Sequence, residues 1–313
     1  MKALPLAIGL AVSACSTTSV APVASLNAVS PAEVQAAEAD GSGPYPATYM
    51  TLPSLPNHVV YLPRDLGALG NTKLGIYAFG NGACSADGTS ARNHLLDVAS
   101  HGYIAIAPGS IPGPNRVIPE SVALPSGRLS ANTPSSALAE AIDWSIRQAS
   151  TAGSPLQGLV ATDQVAVSGW SCGGLQALMN AGDPRVRTTI IMNSGIFNDE
   201  ASPIEGIVAK KSMLEDLHGP TLFVLGGKED MAQPNGLDDF NRIRDLPAAV
   251  VDIPVGHGGT FDQLDGGVGS EVVVAWLNWI LKGQQDAASH FKGADCTYCK
   301  DPRFTFQHKN IED

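Results

Sequence analysis

Positive charge is scarce in this sequence: 19 Lys and Arg stand against 30 Asp and Glu, a formal net charge of −11. That balance repels polyphosphates and anionic headgroups, which argues against nucleic acid or an anionic membrane surface as the main partner. Charge of either sign is thin, at 16% of residues against 44% hydrophobic, which excludes a disordered chain and supplies ample core. Internal repeats are lacking, and a single α/β domain of about 250 residues plus a tail suits the 313 residues better than two domains. Long apolar runs are lacking near the N terminus as well. Ala3 to Val12 is apolar but too short to span a bilayer.

With Lys2 ahead of it, that run reads as a signal peptide over residues 1–14. Its end, Val12-Ser13-Ala14-Cys15, resembles a bacterial lipoprotein box, with valine where leucine is usual. The resemblance implies a lipidated Cys15 and a protein held at the bacterial cell envelope, periplasmic or on the outer membrane. Ordinary cleavage and secretion is the alternative. Either route exports the chain to an oxidising compartment. Residues 15–46, rich in Ala, Ser, Pro and Val without a period, read as a flexible tether.

From residue 47 onward, strand and helix signals alternate. Ala47–Leu52, His58–Leu62, Leu74–Phe79 and Tyr103–Ala107 read as strands, and Ala91–Ser100 as a helix. Pro108–Pro134 is long, rich in Pro and Gly, and without a period, the kind of loop that carries function or disorder. An amphipathic helix is expected over Ser135–Gln148, then strands at Val165–Ser168, Thr188–Met192, Thr221–Leu225 and Ala249–Ile253, and a closing helix over Glu271–Leu281. Such alternation predicts a doubly wound, mostly parallel sheet flanked by helices.

Between the strand at Val165–Ser168 and helical spacing from Leu175 sits Gly169-Trp170-Ser171-Cys172-Gly173, a G-x-S-x-G. A strand reversing into a helix within a few residues strains its turn residue, and flanking glycines remove the Cβ atoms that would clash. The serine is thereby held at the top of the sheet as a candidate nucleophile. Here the chain resembles the α/β-hydrolase superfamily, over about Ala47 to Gln284. Gly-Trp-Ser-x-Gly-Gly and the minimal layout look like its polyester-hydrolase and dienelactone-hydrolase side.

A serine hydroxyl needs a base to remove its proton, and the base needs an acid to fix its tautomer. The resemblance implies the order Ser, acid, His, each after a later strand. After Thr221–Leu225 comes Gly226-Gly227-Lys228-Glu229-Asp230, and after Ala249–Ile253 comes Gly256-His257-Gly258-Gly259. Asp230 is the expected acid; Asp199 is the runner-up, while Glu229 would point elsewhere and Asp252 lies within a strand. His257 is the expected base. His58, His94, His101, His218, His290 and His308 lack such a setting and read as surface or helix-face residues. The tetrahedral oxyanion needs two N–H donors, assigned to Cys172 and, in the Gly80-Asn81-Gly82 loop, to Asn81, with Gly82 next. Asn81 stands where polyester hydrolases commonly have an aromatic residue and Cys172 where they commonly have Met or His. Dienelactone hydrolases use cysteine where this chain has Ser171.

The implied fold brings Cys84, at the end of the oxyanion loop, near Cys172, so a disulfide between them is expected to lock that loop against the elbow; two packed thiols are the alternative. Cys296-Thr297-Tyr298-Cys299 reads as a local disulfide in a C-terminal tail of a domain covering 47–313, with zinc (aided by His290 and His308) or free thiols as alternatives. The short stretch between Ile196 and Pro220 leaves room for one helix and no large lid. Trp170, Ile196 and Phe197 are candidate pocket residues. The expected function is a serine carboxylic ester hydrolase acting on a small-molecule or exposed polymeric ester without cofactor or metal. A serine peptidase or amidase of the same fold, or a non-catalytic envelope-binding lipoprotein, are the rival readings.

Overall fold

The computed structural model describes residues 1, 41–113, 129–199 and 201–312. The signal, lipidation and tether readings around Cys15, and much of the Pro-rich loop, lie outside these residues. The described elements are β1 (Ala47–Leu52), β2 (Leu55–Pro63), β3 (Leu74–Gly80), α1 (Arg92–Ser100), β4 (Tyr103–Pro108), β5 (Leu129–Ser130), α2 (Ser136–Ser150), β6 (Val160–Trp170), α3 (Cys172–Asn180), β7 (Thr188–Met192), β8 (Ile204–Glu205), β9 (Thr221–Leu225), α4 (Gln233–Arg242), β10 (Ala248–Asp252), α5 (Gly267–Ile280), α6 (Gln285–Ala288) and β11 (Thr305–Lys309). Nine strands form one sheet in the order β1-β2-β4-β3-β6-β7-β9-β10-β11. The pairs from β4 across to β10 are parallel, while β1-β2, β2-β4 and β10-β11 are antiparallel.

Strands β3, β4, β7 and β9 are buried along their whole length, as parallel strands covered on both faces must be. Alternate residues therefore feed two cores. Ile76 and Ala78 pack on one face with Leu138, Ile142 and Trp144 of α2, Leu175 of α3 and Phe240 of α4. Tyr77 and Phe79 pack on the other with Leu95 of α1 and Val272 and Trp276 of α5. The architecture is α/β, with a mostly parallel central sheet between two helical layers, compatible with double winding.

Two elements depart from the sequence expectation. Ala248–Asp252 does not end the sheet: β11 pairs antiparallel with it, Val250 opposite Gln307. What reads as a tail is thus folded onto the domain, with Phe291 and Tyr298 buried in the second core. The connection from β7 to β9 contains the two-residue β8, paired with β5, and one 3₁₀ turn at Lys211–Glu215 instead of a helix.

Candidate active site

Strand β6 hands over to α3 at Ser171, whose φ of 53° and ψ of −119° are strained for a residue with a Cβ. The glycines around it are required by close backbone approach. A Cβ on Gly169 would lie 2.1 Å from the Gly173 carbonyl oxygen, and one on Gly173 would lie 2.0 Å from the Gly80 oxygen and 2.7 Å from the Asn81 nitrogen. The end of β3, the elbow and the first turn of α3 are therefore in backbone contact. Ser194 Oγ donates to the Ser171 carbonyl at 2.6 Å and steadies the turn from the end of β7.

Ser171, Asp230 and His257 come together. With His257 Nδ1–H donating to Asp230 Oδ1 at 2.6 Å, Nε2 accepts from the Ser171 hydroxyl at 2.8 Å. The three side chains arrive from the C-terminal ends of β6, β9 and β10, which a parallel sheet puts on one edge. Asp230 is fully buried while its neighbours Lys228 and Glu229 are exposed. Its second oxygen accepts from Asn193 Nδ2 and Gly226 N–H, both at 3.1 Å, and Oδ1 also accepts the Ala232 N–H at 2.9 Å. Burial pushes this carboxyl up, but the hydrogen bonds from His257, Ala232 and Asn193 outweigh it and hold Asp230 below the usual carboxylate range. His257 keeps about a third of its side chain exposed, so the array opens to solvent.

The other candidate acids are occupied elsewhere. Asp199 accepts the Ala201 N–H at 3.1 Å in its own turn. Asp252 accepts the Gly227 N–H at 2.6 Å and the Gln233 amide at 2.5 Å, so it braces the loop that carries Asp230. The histidine reading needs correction at two places. His94 is completely buried, bonded to the Tyr77 hydroxyl at 2.8 Å and Ser270 Oγ at 2.6 Å, and burial pushes its imidazole down to about 3. His58 is also buried, within 2.9 Å of the Ala137 carbonyl oxygen.

Cys84 and Cys172 are joined by a disulfide, Cα–Cα 5.2 Å, as are Cys296 and Cys299. With both sulfurs of the second pair in that bond, the zinc alternative has lost its thiolates; His290 stacks on Tyr298 and His308 on Phe306. In the loop after β3, Ala83 and Cys84 hold left-handed φ values of 55° and 46°. The Cys84 carbonyl accepts the Asn132 N–H at 3.0 Å and, at 3.1 Å each, the Thr133 N–H and Oγ1. Asn81 is buried, and its side chain donates to the Ser85 and Pro108 carbonyls at 2.9 and 2.7 Å.

The pocket candidates separate. Trp170 is half-buried, stacks near Phe261 at 4.8 Å, and donates from Nε1 to the His257 carbonyl at 2.9 Å; a Cβ on Gly82 would lie 2.5 Å from its ring. It therefore wedges between the His257 loop and the Gly80–Gly82 loop. Ile196 is fully buried in the first core and lines no surface, because Asp239 Oδ2 captures its N–H at 2.7 Å and draws it inward. Phe197 is only partly buried against that core. Cavities of about 520 and 480 Å³ lie elsewhere, the first beside Asp97, Glu271 and His290, the second beside Gln164, Arg187 and His218; neither includes Ser171.

No protein-family model matches the chain, and no curated protein matches it. Among the described residues, no helix is long and apolar enough to cross a membrane.

Proposed function

We propose that this protein is a serine carboxylic ester hydrolase of the α/β-hydrolase fold, acting through an acyl-enzyme. The observation that carries the reading is the continuous chain from Ser171 Oγ through His257 to the buried Asp230, at 2.8 and 2.6 Å. Attack of Ser171 Oγ on the ester carbonyl passes its proton to His257 Nε2, and the resulting imidazolium is stabilised by the ionised Asp230. The oxyanion would be received by the Cys172 and Asn81 N–H groups, whose backbones the Gly80–Gly173 contact holds together. His257 then gives its proton to the departing alkoxide, and the same groups activate water to release the acid.

Both disulfides favour an extracytoplasmic setting, in keeping with an exported envelope protein anchored by Cys15. The open site favours substrates that need no deep tunnel, small esters or exposed polymer ends. Ser171→Ala should fold normally and lose several orders of magnitude of turnover on short p-nitrophenyl esters, about 10⁴-fold or more. It should also lose labelling by a fluorophosphonate probe. Near-normal turnover in the folded variant would falsify the assignment, and hydrolysis of peptides or amides in preference to esters would move the reading to a peptidase.

A further inference from the structure

Asn193, just past the end of β7, belongs to no sequence motif, yet three loops meet at its side chain. Its Nδ2 donates both hydrogens, one to Asp230 Oδ2 and one to the Gly256 carbonyl, each at 3.1 Å. Its own N–H donates to the Val224 carbonyl at 2.7 Å, fixing the residue beside β9. A Cβ on Gly259 would lie 2.7 Å from Asn193 Oδ1, and one on Gly226 would lie 2.6 Å from Nδ2. The amide is thus enclosed by the acid loop and the histidine loop. It is 2% exposed and sits at a φ of 45°, a left-handed conformation that asparagine tolerates better than most residues.

The chemistry of that slot is specific. Both groups facing Nδ2 are acceptors, a carboxylate oxygen and a carbonyl oxygen, so the slot needs two donors on one atom. A primary amide supplies them; a carboxylate of the same shape would place like charge against Asp230. With Oδ2 held by Asn193 and Gly226, Asp230 cannot turn, and Oδ1 alone is presented to His257 Nδ1. By holding Gly256, the same amide fixes the residue before His257.

We propose that Asn193 is a positioning residue of this site, locking Asp230 and the His257 loop into the one arrangement in which His257 keeps its proton on Nδ1. The proposal rests on the esterase reading for its kinetic arm, but not for its spectroscopic one. The ionisable groups at the junction are Asp230 and His257. Asp252 lies across the acid loop on Gly227, and Lys228 and Glu229 are exposed.

Two variants test it. Asn193→Gly keeps the left-handed backbone and removes the amide; kcat should fall about 10- to 100-fold, the rate equivalent of one hydrogen bond to a charged group, with KM nearly unchanged. Asn193→Asp keeps the shape but sets a carboxyl against two acceptors, the Asp230 carboxylate and the Gly256 carbonyl, and a proton shared between the carboxyls leaves no second donor for the carbonyl. Its kcat should therefore fall at least as far as that of Asn193→Gly. In the resting protein, the low-field proton resonance of His257 Nδ1–H, assigned by its loss in His257→Ala, should broaden or disappear in Asn193→Gly. A folded Asn193→Gly with unchanged kcat and unchanged resonance overturns the proposal, as does a folded Asn193→Asp with wild-type kcat. Should the wild type hydrolyse no ester, the functional reading fails, and the resonance still decides the role of Asn193.

Discussion

The two disulfides span the same Cα–Cα distance, 5.2 Å, and do different work. Cys84–Cys172 joins residues 88 apart, with both cysteines inside the first core. Cys296–Cys299 closes a separation of 3, with Cys296 buried and Cys299 exposed. Loop closure makes the first worth about 4–5 kcal/mol and the second about 2 kcal/mol in the chain-entropy model. Location separates them further. The first ties the strained Ala83-Cys84 turn to the opening turn of α3, next to Ser171, the proposed nucleophile. The same loop is held again where Gln176 Nε2, on α3, donates to the Thr133 carbonyl at 2.7 Å, Thr133 being bonded in turn to Cys84. The second bridge only closes a turn around Tyr298, which is wedged among Phe291, Phe304 and His290. What a cross-link contributes depends on what its ends hold.

That contrast can be broken experimentally. Cys84→Ala/Cys172→Ala should lower kcat about 100-fold or more, the effect of losing one fixed oxyanion donor, and destabilise the fold by about 4 kcal/mol, measured by ester turnover and urea unfolding. Retained turnover in the folded double variant would show that hydrogen bonds alone hold the loop. Cys296→Ser/Cys299→Ser should leave turnover within about twofold while destabilising by about 2 kcal/mol. In a titration with a dithiol reductant, alkylation should appear at Cys299 and Cys296 while activity persists, and activity should fall only as Cys84 and Cys172 become alkylatable.

The smallest effect concerns acid. Hydrogen bonds from Arg303 hold the Asp301 carboxyl below its usual range, and Arg303 also grips both oxygens of Glu271 on α5, at 2.7 and 2.8 Å. A depressed carboxyl stabilises the fold above its unfolded value, near 4, and that contribution is lost as pH falls through the folded value. Protection of β11 amides should therefore fall by more than that of β6 amides as pH is lowered from neutral through 4 and below, after correction for intrinsic rates. An equal fall would place the acid-sensitive contacts elsewhere.

Much of this arrangement was legible in the sequence because it rests on local patterns. Val165–Ser168 and Leu175–Met179 mark the strand and helix that hold Ser171, and the glycines around Asp230 and His257 mark sharp turns after strands. The parts that stayed illegible depend on neighbours. Asn193 and Ser194 are small polar residues whose partners lie in other loops. Ile196 looks like any apolar loop residue until Asp239, buried beside Lys211 at 2.6 Å, captures its N–H. Helix α4, Gln-Pro-Asn-Gly-Leu-Asp-Asp-Phe-Asn-Arg, contains a glycine and few strong helix formers, and its place in the fold rests on contacts such as the packing of Leu237 and Phe240 on the first core. Thr305–Lys309 has one apolar residue, Phe306, which packs against the second core, and so gives no apolar alternation.

That polarity has a consequence for how copies of the chain meet. β10 is apolar and buried from Ala248 to Val251, and its outer backbone edge is covered only because β11 pairs with it. β11 exposes Thr305, Gln307 and His308 instead, while Lys309 is half-buried with its ammonium hydrogen-bonded to the Phe240 carbonyl. A short edge with polar side chains templates strand addition less readily than a bare Ala-Ala-Val-Val edge would. The strand that looks like an appendage to the sheet thus replaces an apolar edge with a polar one.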